Sequence, residues 1–310
     1  MLDSNILDQV RGIFANLDAQ YTFLTSIDKN REEAHEMIDF INDFASTSSH
    51  INVAHTEATA DKLEFSILKN DEHTGITFRG IPNGHEFTSL LLAILNADGK
   101  GKNLPDEAIA RRIKALKGNV KLQTYVSLTC TNCPDIVQAL NIMAIINPNI
   151  SHEMIDGALF QAEADAMKIQ AVPTVYANEK MLHVGRGTLG ELLEKLENEV
   201  GSIADDNFEP VIRHYDVIVV GGGPAGSSAA IYSARKGLKV AVVAENVGGQ
   251  VKETVAIENL ISVPHTTGAE LANSLRSHIN DYPIDIFENR RIEKADLQGP
   301  LKSITAVGGE

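Results

Sequence analysis

Hydrophobic residues in the first 118 positions follow helical and strand periods in turn. Near the start, the apolar positions recur with the spacing of one face of an amphipathic helix: Ile6, Val10, Ile13, Phe14 and Leu17. Two strand-like runs follow at 63–69 (LEFSILK) and 75–80 (GITFRG), joined by a polar turn. The run HEFTSLLLAILNA at 85–97 then predicts a mostly buried helix that ends at DGKG. These elements predict a mixed α/β unit over 1–118.

The elements predicted over 119–200 come in the order β-α-β-α-β-β-α. A strand at 119–128 precedes a helix at 132–147, and a short strand at 151–156 precedes a short helix. Two further strands, PTVYANE and KMLHVGR, are followed by the helix LGELLEKLENEV. This order matches the thioredoxin fold, so we predict a thioredoxin-like unit here.

A faint internal repeat connects these two units. RGIPNGHEFTSLL (79–91) and RGTLGELLEKL (186–196) each follow a strand pair and open a helix. We interpret 1–118 and 119–200 as two copies of one thioredoxin-like unit, with a CxxC only in the second. The polar, acidic and aperiodic stretch 201–214 is predicted to be a linker.

The chain changes character in the segment 215–310. YDVIVV is a continuous apolar strand of the kind buried in a parallel sheet, followed by a glycine turn, an Ala/Ser-rich helix and a second strand. Gly221 permits the tight turn, Gly223 lets the backbone approach a pyrophosphate, and Gly226 allows close packing of helix on sheet. Glu245, at the end of the second strand, would bind the ribose hydroxyls, and the helix N-terminus would hold the anion. We predict the start of a Rossmann-like domain, although this motif alone does not separate FAD from NAD.

Composition narrows the possible partners and location. The formal net charge is −15, which argues against nucleic acid or an anionic membrane surface as a partner. No apolar run approaches the roughly 20 residues that a membrane-spanning helix needs, and the acidic N-terminus does not resemble a secretory signal. We therefore predict a cytoplasmic protein. In that compartment a CxxC pair is more often catalytic or metal-binding than a structural disulfide.

Both cysteines of the chain lie in SLTCTNCPDI, at Cys130 and Cys133. A zinc site of this type needs four ligands, and the nearest downstream histidines, His152 and His183, do not have finger spacing. A structural disulfide across so short a loop would remove little entropy from the unfolded chain. Two unrelated buried thiols are the simplest remaining alternative. We therefore predict no metal site.

A redox couple explains the surroundings of the cysteines better. Cys130 is predicted where a strand ends and a helix begins, so that backbone N–H groups and the helix dipole can stabilise a thiolate. Cys130 would attack a disulfide as the exposed nucleophile, and the shielded Cys133 would resolve the mixed disulfide. Pro173 follows Val172 directly before a predicted strand, where thioredoxin-fold proteins place a cis-proline facing the CxxC.

The chain as a whole resembles the flavoprotein component of bacterial alkyl hydroperoxide reductases. The likeness covers essentially all 310 residues and is carried by SLTCTNCPDIVQALN, GHEF, the acidic linker and DVIVVGGGPAGSSAAIYSARKGLKVAV. NVGGQVKETVAIENL is similar to the flavin-contacting segment of thioredoxin-reductase-like flavoproteins. The resemblance implies that FAD is bound by Gly221, Gly223, Pro224, Ala225, Gly226, Glu245, Gly249, Gln250 and Asn259.

In that family, electrons pass from NADH to FAD, to a CxxC beside the flavin, to the N-terminal CxxC, and finally to a peroxiredoxin. The resemblance therefore implies a reductase of a peroxiredoxin that removes alkyl hydroperoxides and hydrogen peroxide, with a homodimer as the complete protein. Glu86 of GHEF would approach the thiolate and assist proton transfer. A surface glutamate that stabilises the helix dipole is the alternative, and His85 is expected to face solvent.

The chain ends at Glu310, before the positions of the family's nicotinamide domain, flavin-adjacent CxxC and returning half of the flavin domain. We therefore expect a fragment or a truncated gene product that folds well through about residue 200 and binds FAD weakly or not at all. Two other functions remain open. One is a glutaredoxin-like or disulfide-isomerase-like thiol–disulfide oxidoreductase with a vestigial flavin segment, and the other is a non-enzymatic adaptor that docks redox partners.

Overall fold

The chain forms two compact units, 1–204 and 205–310. The computed structural model describes residues 3–57, 60–101, 103–203 and 211–308. The boundary between the units falls within the predicted linker 201–214, of which residues 204–210 lie outside the described residues.

The first unit contains seven described helices and eight described strands in two successive sets. The first set is α1 (Ser4–Phe14), β1 (Tyr21–Ile27), α2 (Ala34–Ala45), β2 (Ile51–His55), β3 (Leu63–Lys69), β4 (Glu72–Arg79), a 3-10 turn (Gly84–Glu86) and α3 (Phe87–Ala97). The second set is α4 (Glu107–Lys114), β5 (Val120–Val126), α5 (Cys133–Ile146), β6 (Ile150–Asp156), α6 (Gln161–Ala166), β7 (Thr174–Ala177), β8 (Lys180–Val184) and α7 (Leu189–Val200).

All eight strands of this unit belong to one mixed sheet, in the order β2-β1-β3-β4-β6-β5-β7-β8. Each set repeats one pattern, in which its first two strands are parallel and the next two join antiparallel. The sets meet where β4 runs parallel to β6, with Arg79 opposite Ile155. This repeat confirms the predicted tandem thioredoxin-like fold. The division into separate domains at residue 118 stays a prediction, because both sets lie in one compact unit.

The core of this unit is continuous across both sets and determines the depth of the CxxC helix. On β3, the alternate residues Leu63, Phe65 and Ile67 are fully buried, which is the pattern of a strand with one face on the core. Helix α5 is instead apolar on almost all sides and is buried along most of its length. Its first residue, Cys133, is therefore buried as well.

The predicted elements of the first set did not include β1, α2 and β2. The available signal in YTFLTSI was its alternation, since Tyr21, Phe23 and Thr25 are all buried on one face of β1. These elements complete the first thioredoxin-like set, which the predicted helix and two strands left open.

The second unit contains β9 (Val217–Gly222), α8 (Pro224–Ala234), β10 (Val240–Val247), a 3-10 turn (Gly249–Glu253), α9 (Gly268–Asn280), β11 (Ile284–Phe287), β12 (Ile292–Asp296) and β13 (Ser303–Ala306). A parallel sheet in the order β11-β10-β9 and an antiparallel β12-β13 hairpin confirm the Rossmann-like start. The prediction that β9 is a buried strand is wrong for the described residues. It lies at the edge of the sheet, with Ile218 37% and Val220 60% exposed, because no described element covers that face.

Neither a membrane span nor a metal cluster occurs among these described residues. They contain no helix that is both long enough and apolar enough to cross a membrane. They also contain no group of three His, Cys, Asp or Glu side chains placed to hold a metal ion. The cytoplasmic location stays a prediction.

Candidate redox site and nucleotide site

Cys130 and Cys133 lie in the connection between β5 and α5. Strand β5 ends at Val126, and α5 begins at Cys133 with Pro134 in its first turn, where a helix needs no amide donor. Cys130 is half-buried and Cys133 is buried, which is the predicted order of exposure. Cys130 itself lies in the turn before the helix, and its amide donates to the Ser127 carbonyl at 2.9 Å.

The carbonyl of the residue before Pro173 faces the thiol of Cys130. The Val172–Pro173 peptide bond is cis, as the sequence pattern predicts. Cys130 Sγ lies 3.9 Å from the carbonyl oxygen of Val172. The structure therefore brings Cys130 and the cis-proline loop together, while the catalytic role of Pro173 stays a prediction.

The thiol of Cys133 has an environment that favours its protonated form. Burial raises its pKa well above the ordinary range, and the neighbouring Cys130 and the carboxylate of Glu86 raise it further. A backbone hydrogen bond at Ser127 offsets part of this increase. Cys133 can act as a nucleophile only when another group takes its proton.

Glu86 reaches this site from the first set of elements. The 3-10 turn that carries it packs on the CxxC loop, where the amide of His85 donates to the Leu128 carbonyl at 3.1 Å. Gly84 makes this approach possible, since it has φ +56° and a Cβ there would lie 2.5 Å from the same carbonyl oxygen. Its neighbour His85 is exposed, as expected.

The carboxyl of Glu86 is 0% exposed, so the alternative of a surface glutamate is wrong. Among the described residues, neither of its oxygens has a hydrogen-bond partner. Burial raises the pKa of Glu86 to about 7, the nearby Ser89 hydroxyl offsets part of the rise, and the charge of Asp135 adds to it. A buried acid that titrates near neutral pH therefore lies close enough to the Cys133 thiol to raise the pKa of that thiol through its charge.

The predicted nucleotide site is built around a glycine turn between β9 and α8. Gly221 has φ +107°, and a Cβ on Gly226 would lie 2.0 Å from the Gly221 carbonyl oxygen. Gly223 precedes α8 without a side-chain cap, and Pro224 is the first residue of the helix. A Cβ at Gly223 would meet no atom closer than the Gly248 carbonyl oxygen, at 3.8 Å. The backbone thus leaves room for a pyrophosphate at an uncapped helix N-terminus.

A second glycine pair closes this cradle. The amide of Gly248 donates to the Gly222 carbonyl at 2.8 Å, and a Cβ on Gly249 would lie 3.3 Å from Gly223 Cα. The structure therefore brings the predicted residue Gly249 to the glycine turn. Gln250, which follows it in the 3-10 turn, is exposed.

Two other predicted residues lie further along the second unit. Glu245 is two positions before the end of β10, and its carboxylate is paired with Arg291. Asn259 is exposed in the irregular segment 254–267. Their roles in cofactor binding stay predictions.

Comparison with known proteins divides the chain in the same way as its fold. Residues 120–198 match the family described as thioredoxin domain. Residues 215–306 match the family described as pyridine nucleotide-disulphide oxidoreductase.

The first unit has a solved counterpart in the NTD_N/C domain of the alkyl hydroperoxide reductase AhpF from Enterococcus faecalis. The two are 32% identical with a TM-score of 0.58, and the match covers 63% of this chain and 100% of that one. An alkyl hydroperoxide reductase of the same kind from Pseudomonas aeruginosa is 41% identical over 295 residues, which are 95% of this chain and 56% of that protein. The chain belongs to the AhpF family of alkyl hydroperoxide reductases.

Another relative of this AhpF-family chain, from Bacillus subtilis, bears the name NADH dehydrogenase. It is 44% identical over 300 residues, which are 96% of this chain and 58% of the relative. The chain therefore spans little more than half the length of these two curated relatives.

Two residues that the sequence did not single out shape the redox site. Gly84 permits the close approach of the Glu86 turn, and its signal was its place directly before the quoted HEF. Asp135 adds to the raised pKa of Glu86 across the two sets of elements. Its sequence signal was only a carboxylate in the first turn of a helix, which is common at any helix start.

Proposed function

We propose that this chain carries the distal electron path of an NADH-dependent flavoprotein disulfide reductase. Cys130 and Cys133 pass electrons to a peroxiredoxin, which reduces alkyl hydroperoxides and hydrogen peroxide. The observation that carries this proposal is the pairing of a half-buried Cys130 with a buried Cys133, beside a cis-proline and a buried carboxyl from the other half of the unit.

The transfer to the peroxiredoxin proceeds in two exchanges. The Cys130 thiolate attacks one sulfur of the partner disulfide, a mixed disulfide forms, and the other partner sulfur leaves and takes a proton. Cys133 then loses its proton and attacks Cys130 Sγ, which releases the second partner sulfur. Overall, two electrons and two protons pass from the dithiol to the partner, and Cys130 and Cys133 end as a disulfide.

Glu86 is the proposed proton acceptor for the second exchange. The raised pKa of the Cys133 thiol keeps its proton on sulfur at neutral pH. A carboxyl with a pKa of about 7 is partly ionised there and can take that proton without a large free-energy penalty. The same group can return the proton when the dithiol is regenerated.

FAD is the proposed cofactor of the second unit, and NADH is the proposed electron donor of the whole protein. The space left at Gly223, the tight turn at Gly221 and the approach of Gly249 fit a bound pyrophosphate. Glu245 would hold the ribose hydroxyls. When bound, FAD would accept hydride from NADH and deliver electrons to thiols. A homodimer is proposed from the family resemblance.

A dithiol-driven assay tests the distal path without any flavin step. The chain is reduced, freed of reductant and mixed with an oxidised peroxiredoxin, and the thiols that appear on the peroxiredoxin are measured. Wild type should transfer electrons, Cys130→Ser should not, and Cys133→Ser should stop at a mixed disulfide visible by mass spectrometry. Ser127→Ala, in the same loop, is the matched control and should retain transfer. Full transfer by Cys130→Ser would contradict the proposal.

A further inference from the structure

Arg79 lies where the two sets of elements in the first unit meet. It is the last residue of β4, and its guanidinium donates to both oxygens of the Glu163 carboxylate on α6. The Nη1–Oε1 distance is 2.9 Å and the Nη2–Oε2 distance is 2.6 Å. The Arg79 side chain is only 16% exposed, so this bidentate pair is largely shielded from water. Such a fork-to-carboxylate pair restricts both position and orientation.

Cation–ring contacts reinforce the same junction. The guanidinium of Arg79 lies 4.5 Å from the centre of the Phe160 ring, and that of Arg31 lies 5.1 Å from it. Arg31 also donates to the Leu159 carbonyl at 3.0 Å. Two cations from the first set thus hold the chain just before α6 in the second set.

The Glu163 carboxylate connects the strand ends that carry the two parts of the redox site. It also accepts a hydrogen bond from the Tyr125 hydroxyl at 2.7 Å, and Tyr125 is the penultimate residue of β5, which leads into the CxxC turn. Arg79 ends β4, which leads into the turn that carries Glu86. One carboxylate therefore sets the spacing between these strands at the end where the site lies.

The connection from Arg79 to Glu86 has little freedom to absorb a shift. Gly80 has φ +108°, and a Cβ there would lie 2.9 Å from the Cβ of Asp156. The next two residues, Ile81 and Pro82, are buried. A displacement of the β4 end would consequently move the Glu86 turn relative to Cys133.

We propose that Arg79 is a positioning residue, whose bidentate pair with Glu163 sets the placement of Glu86 against the Cys133 thiol. The proposal rests on the proposed role of Glu86 in proton transfer. A lysine at position 79 keeps the positive charge but cannot reproduce the planar fork or its stacking on Phe160. Arg79→Lys is therefore the informative substitution.

Arg112 provides a matched control in the same unit. It makes a bidentate pair with Glu197, with Nε–Oε1 at 2.9 Å and Nη2–Oε2 at 2.7 Å, and its side chain is 10% exposed. This pair joins α4 to α7 and does not involve β4 or the Glu86 turn. Arg112→Lys should reduce stability in a comparable way and leave the redox site in place.

Two measurements on the full chain test the proposal. The first is a carbon-13 NMR titration of the Glu86 carboxyl, assigned as the resonance that disappears in Glu86→Gln. The second is the rate at which the mixed disulfide with an oxidised peroxiredoxin is resolved. In wild type the titration midpoint should lie near pH 7.

Arg79→Lys should move this midpoint to lower pH, because a loosened turn admits water to the carboxyl and lowers its pKa. A shift of roughly half a unit, about a threefold change in the ratio of ionised to protonated Glu86 at a given pH, is expected. Tyr125→Phe should cause a smaller shift in the same direction and serves if Arg79→Lys does not fold. The resolving rate should fall in Arg79→Lys, with no further fall when Glu86→Gln is already present.

The possible results separate the two proposals. If Glu86→Gln leaves the resolving rate at the wild-type value, the role of Glu86 fails, and the functional claim for Arg79 fails with it. If Glu86→Gln slows resolution but neither Arg79→Lys nor Tyr125→Phe moves the Glu86 midpoint, only the positioning role is overturned. An equal shift in Arg112→Lys would also overturn it, since the effect would then be general loosening.

Discussion

Ionisation of Glu86 should destabilise the first unit, and Glu86→Gln should remove that dependence on pH. The ordinary pKa of the group is 4.5, and burial raises it to about 7 in the folded chain. A raised carboxyl pKa means that the folded state holds its proton over a range where the unfolded state has lost it. Stability therefore falls as pH rises from about 4.5 to about 7, and the full cost remains at higher pH.

The size of this effect follows from the shift. One pKa unit corresponds to about 1.4 kcal/mol, so a shift of this size corresponds to roughly 3 kcal/mol. Screening by solvent reduces this value little, because the carboxyl is 0% exposed. The glutamine variant also buries an amide, but that contribution does not change with pH. Only the pH-dependent part of the difference between the two proteins is diagnostic.

The assay uses Cys133 as its own reporter of unfolding. In a Cys130→Ser background, the buried Cys133 should react with an alkylating agent only when the first unit opens, so urea titrations followed by alkylation give its free energy of unfolding. Relative to Glu86→Gln, the protein with Glu86 should lose roughly 3 kcal/mol between pH 4.5 and pH 8. Glu36→Gln, at an exposed position of α2, is the control for the loss of one carboxylate. A difference that stays flat, or that grows in favour of Glu86 as pH rises, would refute the buried and unpaired carboxyl.

Three further predictions concern separate parts of the chain. A limiting dose of alkylating agent on the reduced protein should label Cys130 before Cys133, because Cys133 is buried, and peptide mass spectrometry would expose the reverse order. Gly226→Ala should weaken flavin binding and destabilise the second unit, since its Cβ would lie 2.0 Å from the Gly221 carbonyl oxygen; unchanged flavin absorbance after dialysis would contradict this. Burial lowers the pKa of His152 from 6.5 to about 3, so stability should fall as pH falls below 6.5. His152→Gln should lose that part of the acid dependence, and an acid titration by circular dichroism that matches wild type would count against it.

Local pattern was sufficient for much of the fold. The strand at 63–69 and the helix at 189–200 have the bounds that periodicity predicts. The CxxC and the glycine turn could also be recognised, because their spacing encodes a strand-to-helix turn within a few residues. Exposure at β9 could not, since the same apolar run is typical of a buried strand and of an edge strand whose face no described element covers.

The candidate site shows the same division between local and distant causes. The sequence by itself determined that Cys130 and Cys133 form a turn-and-helix pair, because that geometry depends on neighbouring residues alone. Only the tertiary structure decided that Glu86 is buried beside them and titrates near neutral pH, since desolvation depends on how β4 and β6 pair. The pair of Arg79 with Glu163 likewise exists only once these two strands are joined, because its members are far apart in the chain and no local periodicity connects them.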